Sequence, residues 1–467
     1  MTLRMLPATL LLCLATALPA GAALRVGFAE VDITPRIGGE RPVYLAGYGQ
    51  NRAATGVHDA LWSRAAVLSD GEKTIALVSV DLVGLQYPAV LAIRKRLPAF
   101  DYVMVSSTHN HEGPDVVGLW GPAPIISGFD RAYQDWLIDR VVESVRAAAA
   151  DTSRVTARYG TASDETLLRD SRLPVVKDGT LRLLSFHRRG QSRPRGMIVQ
   201  WNCHPESMGS RNTLLTADFT TPAVRQIRRT HGCPVLYVTG AVGGLMTPPG
   251  NRITDDDGTM LGEGDFRFTE RYGQEVGKLA TRAFQASEPI QLTPLRVAAR
   301  PFTLPVANKL YVTARLIGVL PRPGYRWTGN PAELGAPLAL HNLTGTMAVQ
   351  SEVACLGLGE LRIVCIPGEI YPELVYGKYQ QPPEKDVDFP DSALEKSVVE
   401  MVGENRWMLF GLANDEIGYI IPRRQWDQNP PFAYGRDSSQ YGEMNSCGPE
   451  TAVIVMKLVE EVIMALR

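Results

Sequence analysis

The chain has 467 residues, 45% hydrophobic and 21% charged, with 48 Lys plus Arg set against 49 Asp plus Glu for a formal net charge of −1. That balance provides no basic footprint for nucleic acid or an anionic membrane as partner. The composition is that of a soluble globular protein long enough to bury a large core.

The chain opens with Arg4, an apolar run over 5–17 and the small-residue stretch Leu18-Pro19-Ala20-Gly21-Ala22, the pattern of a signal peptide cut after Ala22. The run is short for a bilayer span, and no later segment has the roughly 18 consecutive apolar residues of a transmembrane helix. The expected mature protein, 23–467, is secreted or periplasmic. Apolar runs at 64–68 and 73–81 flank Ser69-Asp70-Gly71-Glu72 and predict a hairpin. Helical spacing follows over 88–97, a strand over 102–106, and a helix over 131–150 with Tyr133, Leu137, Val141, Val145 and Ala148 on one face. Strands are predicted at 181–187, 197–202 and 235–239. Helices are predicted from Thr221-Pro222, where proline suits a first turn, and over 266–286. The second half adds strands at 297–303, 347–356 and 361–366, with Gly357 and Gly359 at the bend, and a closing helix over 450–466. Such alternation predicts an α/β layered domain with a mixed β-sheet flanked by helices. No repeat or linker divides the chain, so a single large domain is expected. The irregular stretch 307–343, with four Pro and four Gly, reads as a lid or binding loop.

Cys13 departs with the leader, leaving Cys203, Cys233, Cys355, Cys365 and Cys447. An odd number leaves a free thiol, and the spacing suits neither a disulfide scaffold nor a Cys-rich zinc site. The one expected bridge is Cys355–Cys365, across a hairpin.

Four segments carry a metal-binding residue type at a strand end or turn. They are Ser107-Thr108-His109-Asn110-His111-Glu112-Gly113-Pro114, Asn202-Cys203-His204-Pro205-Glu206, Ile366-Pro367-Gly368-Glu369 and Asn414-Asp415-Glu416-Ile417-Gly418-Tyr419. Strand ends that open into irregular backbone are where α/β proteins place their chemistry. Imidazole is the commonest metal ligand, and two of the seven histidines stand one residue apart. Singly, a His-x-His is as readily a satisfied loop pair, and a Pro-Gly-Glu a plain turn. Two histidines with a carboxylate suit a zinc site that keeps an open position, if the segments meet in space.

Taken together, the ordered motifs resemble the catalytic domain of the neutral ceramidase family, zinc amidases that cleave the N-acyl bond of ceramide. The likeness runs from Val26-Gly27-Phe28-Ala29-Glu30-Val31-Asp32-Ile33-Thr34-Pro35 through Gly47-Tyr48, Gly56-Val57-His58-Asp59 and Val78-Ser79-Val80-Asp81 to the His109 loop, Pro367-Gly368-Glu369 and Tyr419. The resemblance implies one zinc ion per chain held by His109, His204, Glu369 and Tyr419, with His111 facing the substrate carbonyl. A phenol ligand must be acidified or bind weakly, since its ordinary pKa is near 10. Tyr441 resembles a second family tyrosine near the scissile amide. Arg172, with Arg169 as the alternative, resembles a site arginine. Zinc-activated water would then attack the amide, with His111, Tyr441 and Arg172 supporting the oxyanion. Asp81 is either an orienting partner of a ligand histidine or a strand-end turn former.

Two features depart from the family pattern. Where the family has Gly-Asp-x-Ser-Pro, this chain reads Val242-Gly243-Gly244-Leu245-Met246-Thr247-Pro248. Met246 takes the serine position, and Thr247 supplies a hydroxyl only after a one-residue shift. Full ceramidases also continue into an immunoglobulin-like domain, whereas here one helix follows Tyr441. The resemblance thus implies a zinc-dependent hydrolase of ceramide or another N-acylated lipid. The alternatives are a zinc esterase or peptidase on the same scaffold, and a non-catalytic zinc-containing lipid-binding protein.

Overall fold

Three mixed sheets carry the chain in the computed structural model, which describes residues 23–250, 252–340, 345–403 and 406–466. The signal peptide expected at 1–22 lies outside the described residues. The first sheet contains β1 (Arg25–Asp32), β2 (Trp62–Ser69), β3 (Thr74–Val80) and β4 (Tyr102–Ser107), in the order β4-β3-β2-β1 with Ser153–Arg154 at the edge. The predicted hairpin is β2–β3. Its turn is closed by Asp70, whose Oδ1 accepts the backbone N–H groups of Glu72 and Lys73 at 3.0 and 2.8 Å. A crossover through α1 (Tyr87–Lys95) makes β3 and β4 parallel. Helix α2 (Arg131–Ala150), capped by the Asp130 carboxylate, buries Leu137, Val141, Val145 and Ala148 against β1 and β2.

The second sheet contains β5 (Thr156–Ser163), β6 (Thr180–His187), β7 (Pro194–Trp201) and β8 (Val235–Thr239), ordered β8-β7-β6-β5 with Glu288–Ile290 beyond. Strands β7 and β8 are parallel and joined through α3 (Thr220–His231), which packs on α4 (Phe266–Gln285). The third sheet contains β9 (Leu295–Pro305), β10 (Met347–Leu358), β11 (Leu361–Cys365) and β12 (Arg406–Phe410), with β11 and β12 parallel. The closing helix α6 spans Thr451–Met464, and before it comes α5, spanning Lys309–Leu316. The sheets share an apolar core in which Phe28 and Met104, Leu184 and Ile198, and Ile363 and Phe410 meet. Each fully buried side chain of this kind contributes about 1.5–3 kcal/mol.

The α/β class holds, with three principal sheets in place of one, because β1–β4, β5–β8 and β9–β12 each pair only among themselves and short edge strands. The stretch expected as a lid is described over 307–340, and there it carries a helix and short strands that its composition does not predict. Asn308 caps α5 by accepting the N–H groups of Leu310 and Tyr311 at 2.9 and 3.2 Å, and Gly324–Arg326 adds to β10. The Cys355–Cys365 bridge does not form. Cys355 pairs with Val364 while Cys365 pairs with Ala354, and alternation along a strand sends the two thiols to opposite faces. All five cysteines over 203–447 are free and buried. Among the described residues, no helix is long and apolar enough to cross a membrane.

The three parallel pairs end at one place. Beyond β4 comes His109, beyond β7 His204, beyond β11 Glu369 and beyond β12 Tyr419. Backbone bonds tie these ends together: Ser107 N–H to Leu412 O at 3.1 Å, and Gly411 N–H to Thr239 O at 2.8 Å. The carboxyl ends of parallel strands are where ligands sit in α/β folds.

Candidate metal centre and active-site pocket

His109 and His204 both present Nε2 to a single oxygen, Glu369 Oε2, at 3.2 and 3.0 Å. Their other nitrogens are held from behind. His109 Nδ1 lies 2.6 Å from Val83 O, and His204 Nδ1 lies 2.9 Å from Met246 O. A carbonyl accepts only, so each Nδ1 carries the proton and each Nε2 lone pair faces inward in the neutral ring. This arrangement orients metal-bound histidines. Three acceptors that face one another call for a cation or a proton between them. Burial works against charge on His109, but the Glu369 carboxylate, with Glu416 and the Val83 carbonyl, outweighs it and holds the imidazole up at about 9. Burial likewise opposes charge on Glu369, yet His109 and His204 hold its carboxyl far below the usual range. Two imidazole nitrogens and a carboxylate oxygen are a donor set that zinc accepts.

His111 stands over this group. The ring nitrogens of His109, His111 and His204 lie within 4.8 Å of one another, so His111 could also serve a metal. Burial, then the neighbouring histidines, push its pKa well below the ordinary value. Among the described residues, neither His111 nitrogen has a hydrogen-bond partner, although Glu206 Oε2 approaches Nδ1 at 3.4 Å. The ring fits because residue 47 is glycine. A Cβ there would lie 2.3 Å from His111 Cγ, and the backbone has φ +93°. His109 itself has φ +66°, a left-handed conformation of the kind that clusters at functional sites.

Above the histidines opens a pocket of about 820 Å³ including its mouth, with Val117, Leu119, Trp120, Val306 and Leu320 on its walls. Glu369 and Tyr419 are directly opposed in a two-residue parallel ladder. Burial, with the Glu369 carboxylate beside it, raises the Tyr419 phenol well above its ordinary pKa. Tyr441 lines the pocket and is 49% exposed. Its phenol is pushed up to about 12 by partial burial and by Glu369.

Residues 24–231 match the family described as neutral/alkaline non-lysosomal ceramidase, N-terminal. The resemblance carried by the motifs is thereby borne out, and the matched segment contains His109, His111 and His204. The fold is similar to a crystal structure of neutral ceramidase from Pseudomonas aeruginosa, with TM-score 0.69 and 20% identity, covering 95% of this chain and 74% of that one. It is also similar to a ceramidase complexed with C2, with TM-score 0.67 and 18% identity, covering 96% and 75%. No match is found among curated proteins.

Of the site residues read from the ceramidase resemblance, the structure brings together His109, His111, His204, Glu369, Tyr419 and Tyr441. It does not bring Arg172 or Thr247 to the pocket lining. Both Arg172 Nη atoms bond Glu443, at 2.9 and 2.8 Å, and the guanidinium lies 4.9 Å over the Tyr371 ring. Thr247 Oγ1 accepts from Arg169 Nε at 3.2 Å, across a short ladder pairing the two residues. Met246 is wholly buried in the core and serves the site through its carbonyl. Among the described residues, Asp81 orients no histidine. Its carboxylate holds Arg64 Nη1 at 2.8 Å and the Trp62 N–H at 2.9 Å, so it belongs to the strand end. Sequence reasoning missed the Val83 and Met246 carbonyls, for which no side-chain signal exists. It also passed over Glu206 and Glu416, although both stand inside the quoted motifs.

Proposed function

We propose that the chain is an exported zinc-dependent hydrolase that cleaves an N-acyl amide bond, of ceramide or a related N-acylated lipid. The observation that carries the reading is the convergence of His109 Nε2 and His204 Nε2 on Glu369 Oε2, with both Nδ1 atoms tied to main-chain carbonyls. The family match over 24–231 supports amide hydrolysis, and the apolar pocket walls support a lipid substrate.

His109, His204 and Glu369 would hold the metal, with Tyr419 beside Glu369. A divalent cation there supplies Lewis acidity and a more acidic water. The chain's own groups do the rest. His111, neutral and with only the Glu206 carboxylate near its Nδ1 at 3.4 Å, is placed to bond the substrate carbonyl or to move a proton between water and the leaving amine. Tyr441 offers a phenol that stays protonated at neutral pH and can donate at the mouth. The walls exclude water from the acyl chain. Arg172 acts at a remove, by supporting Tyr371, whose ring lies 6.0 Å from that of Tyr419.

One observation favours a second reading, a zinc-containing lipid-binding protein: no hydroxyl stands at the family serine position, since Met246 is core and Thr247 turns to Arg169. The test is metal analysis with hydrolysis of N-acyl substrates, ceramide included, before and after chelation and zinc return, alongside His109→Ala. Cleavage lost with the metal and with His109, and restored to the wild type by zinc, is the expected result. Bound zinc with no turnover of any substrate would favour the binding protein.

A further inference from the structure

The pocket holds a carboxyl group that the metal reading does not use. Glu416 lines the cavity together with His109, Glu369 and Tyr441. Its Oε1 accepts the Gly418 N–H at 2.7 Å, while its Oε2 is buried with no hydrogen-bond partner among the described residues. The backbone is built around this side chain. A Cβ at Gly84 would lie 2.6 Å from Glu416 Cβ, so any other residue at 84 would displace it. Arg322 lines the same pocket, but its Nη1 is taken by Asp415 Oδ1 and the Glu416 carbonyl, and its Nη2 by Asp415 Oδ2 and the Gln350 carbonyl. Those protons are spent on other acceptors, so Arg322 leaves the second oxygen of this cavity-lining carboxyl unmatched.

A buried carboxyl oxygen without a partner carries an uncompensated desolvation cost and calls for an explanation; Glu112, Glu395 and Asp427 also carry such an oxygen but lie away from the pocket, whereas Glu416 lines it. We propose that Glu416 is a specificity-determining residue whose Oε2 receives a hydrogen-bond donor, a hydroxyl or ammonium group, carried by the substrate near the scissile bond. The inference takes its substrate from the amide-hydrolase reading but its geometry from the pocket alone. A site built to pair a polar group rejects the analogue that lacks it far more strongly than an apolar pocket rejects a missing methylene.

The test uses four octanoyl probes on the metal-loaded protein: the propylamide (no added donor), the ethanolamide (hydroxyl), the monoamide of ethylenediamine (ammonium) and 2-hydroxyoctanoyl propylamide (hydroxyl on the acyl side). The readout is kcat/KM for each donor probe relative to the plain propylamide, with calorimetric affinities measured in parallel and metal content by atomic emission. Wild type is expected to prefer at least one donor probe by about 10- to 100-fold, and the preferred probe locates the donor. In Glu416→Leu that ratio falls to about one with metal content intact. In Glu416→Gln, the amide oxygen keeps the Gly418 N–H and the NH₂ faces the cavity. Preference for ammonium is therefore lost while a hydroxyl, which can turn to accept, is retained. If the leucine variant does not fold, the glutamine variant decides on the ammonium probe, or on the hydroxyl probe combined with its O-methyl ether.

No preference in wild type, or an unchanged ratio in Glu416→Leu, overturns the proposal, as does a loss that tracks loss of metal. If wild type hydrolyses no probe, the hydrolase reading fails, and the ratio of binding affinities still decides the role of Glu416.

Discussion

Arg172→Met separates a structural from a catalytic role for that arginine. The Arg172 and Glu443 side chains are 3% and 1% exposed. Deleting the guanidinium strands the Glu443 carboxylate with the Asp427 N–H at 3.1 Å. Removing one partner of a buried pair costs about 3–5 kcal/mol, because the remaining charge is left uncompensated. Loss of the stacking on Tyr371 adds about 0.5–2 kcal/mol. With an unfolding entropy of about 2.1 cal/mol/K per residue, the ion-pair loss lowers the Tm of a chain of 467 residues by roughly 3–5 °C. Arg172→Met/Glu443→Leu should recover most of this, since apolar groups in place of both charges avoid the stranded carboxylate. Urea and thermal unfolding of the four proteins in the cycle, with kcat and KM for each, provide the check. A single variant as stable as wild type, with KM unchanged and kcat reduced more than a hundredfold, would refute the reasoning and return Arg172 to the reacting groups.

Metal affinity should rise with pH. His109 is held at about 9 in the metal-free protein, so below that value a metal must displace its proton. Affinity then increases by up to about tenfold per pH unit and levels off above 9; calorimetry at pH 7.5 in buffers of different ionisation heat should report about one proton released. Gly47→Ala places a methyl group 2.3 Å from His111 Cγ at φ +93°; it should cost about 2–5 kcal/mol of stability. It should also lower kcat at least tenfold with metal content unchanged, read by denaturation, kinetics and metal analysis. Met246→Ser restores the family residue type but removes a wholly buried side chain. It should destabilise by about 2–5 kcal/mol without raising kcat/KM, because the side chain at 246 packs in the core.

Much of this was legible in the sequence. The helices at 131–150 and 266–285 announce themselves by apolar spacing, and the hairpin at 62–80 by its Asp-Gly turn, because these signals are local. The His109 and His111 pair was legible for the same reason, as a strand running into a turn. The meeting of His204, Glu369 and Tyr419 was not, since it depends on three parallel strand pairs ending together, and only the ordered motifs of a family pointed to it. Pairing partners were the least readable. Nothing near Arg172 in the chain indicates Glu443, and nothing near Thr247 indicates Arg169. The cysteine error has a readable cause: in a hairpin, opposite residues share a face, and the observed register places Cys365 opposite Ala354.

Glu369 and Tyr419 are neighbours through a ladder two residues long, not through the chain between them. Backbone hydrogen bonds therefore fix their separation. The connection from 377 to 397 leaves the ladder through loops, and it is anchored to the segment after Tyr419 by Asp388 N–H to Trp426 O at 2.9 Å and Arg423 N–H to Glu395 Oε1 at 3.1 Å. A loop rebuilt between those anchors leaves the register of Glu369 and Tyr419 to the ladder alone.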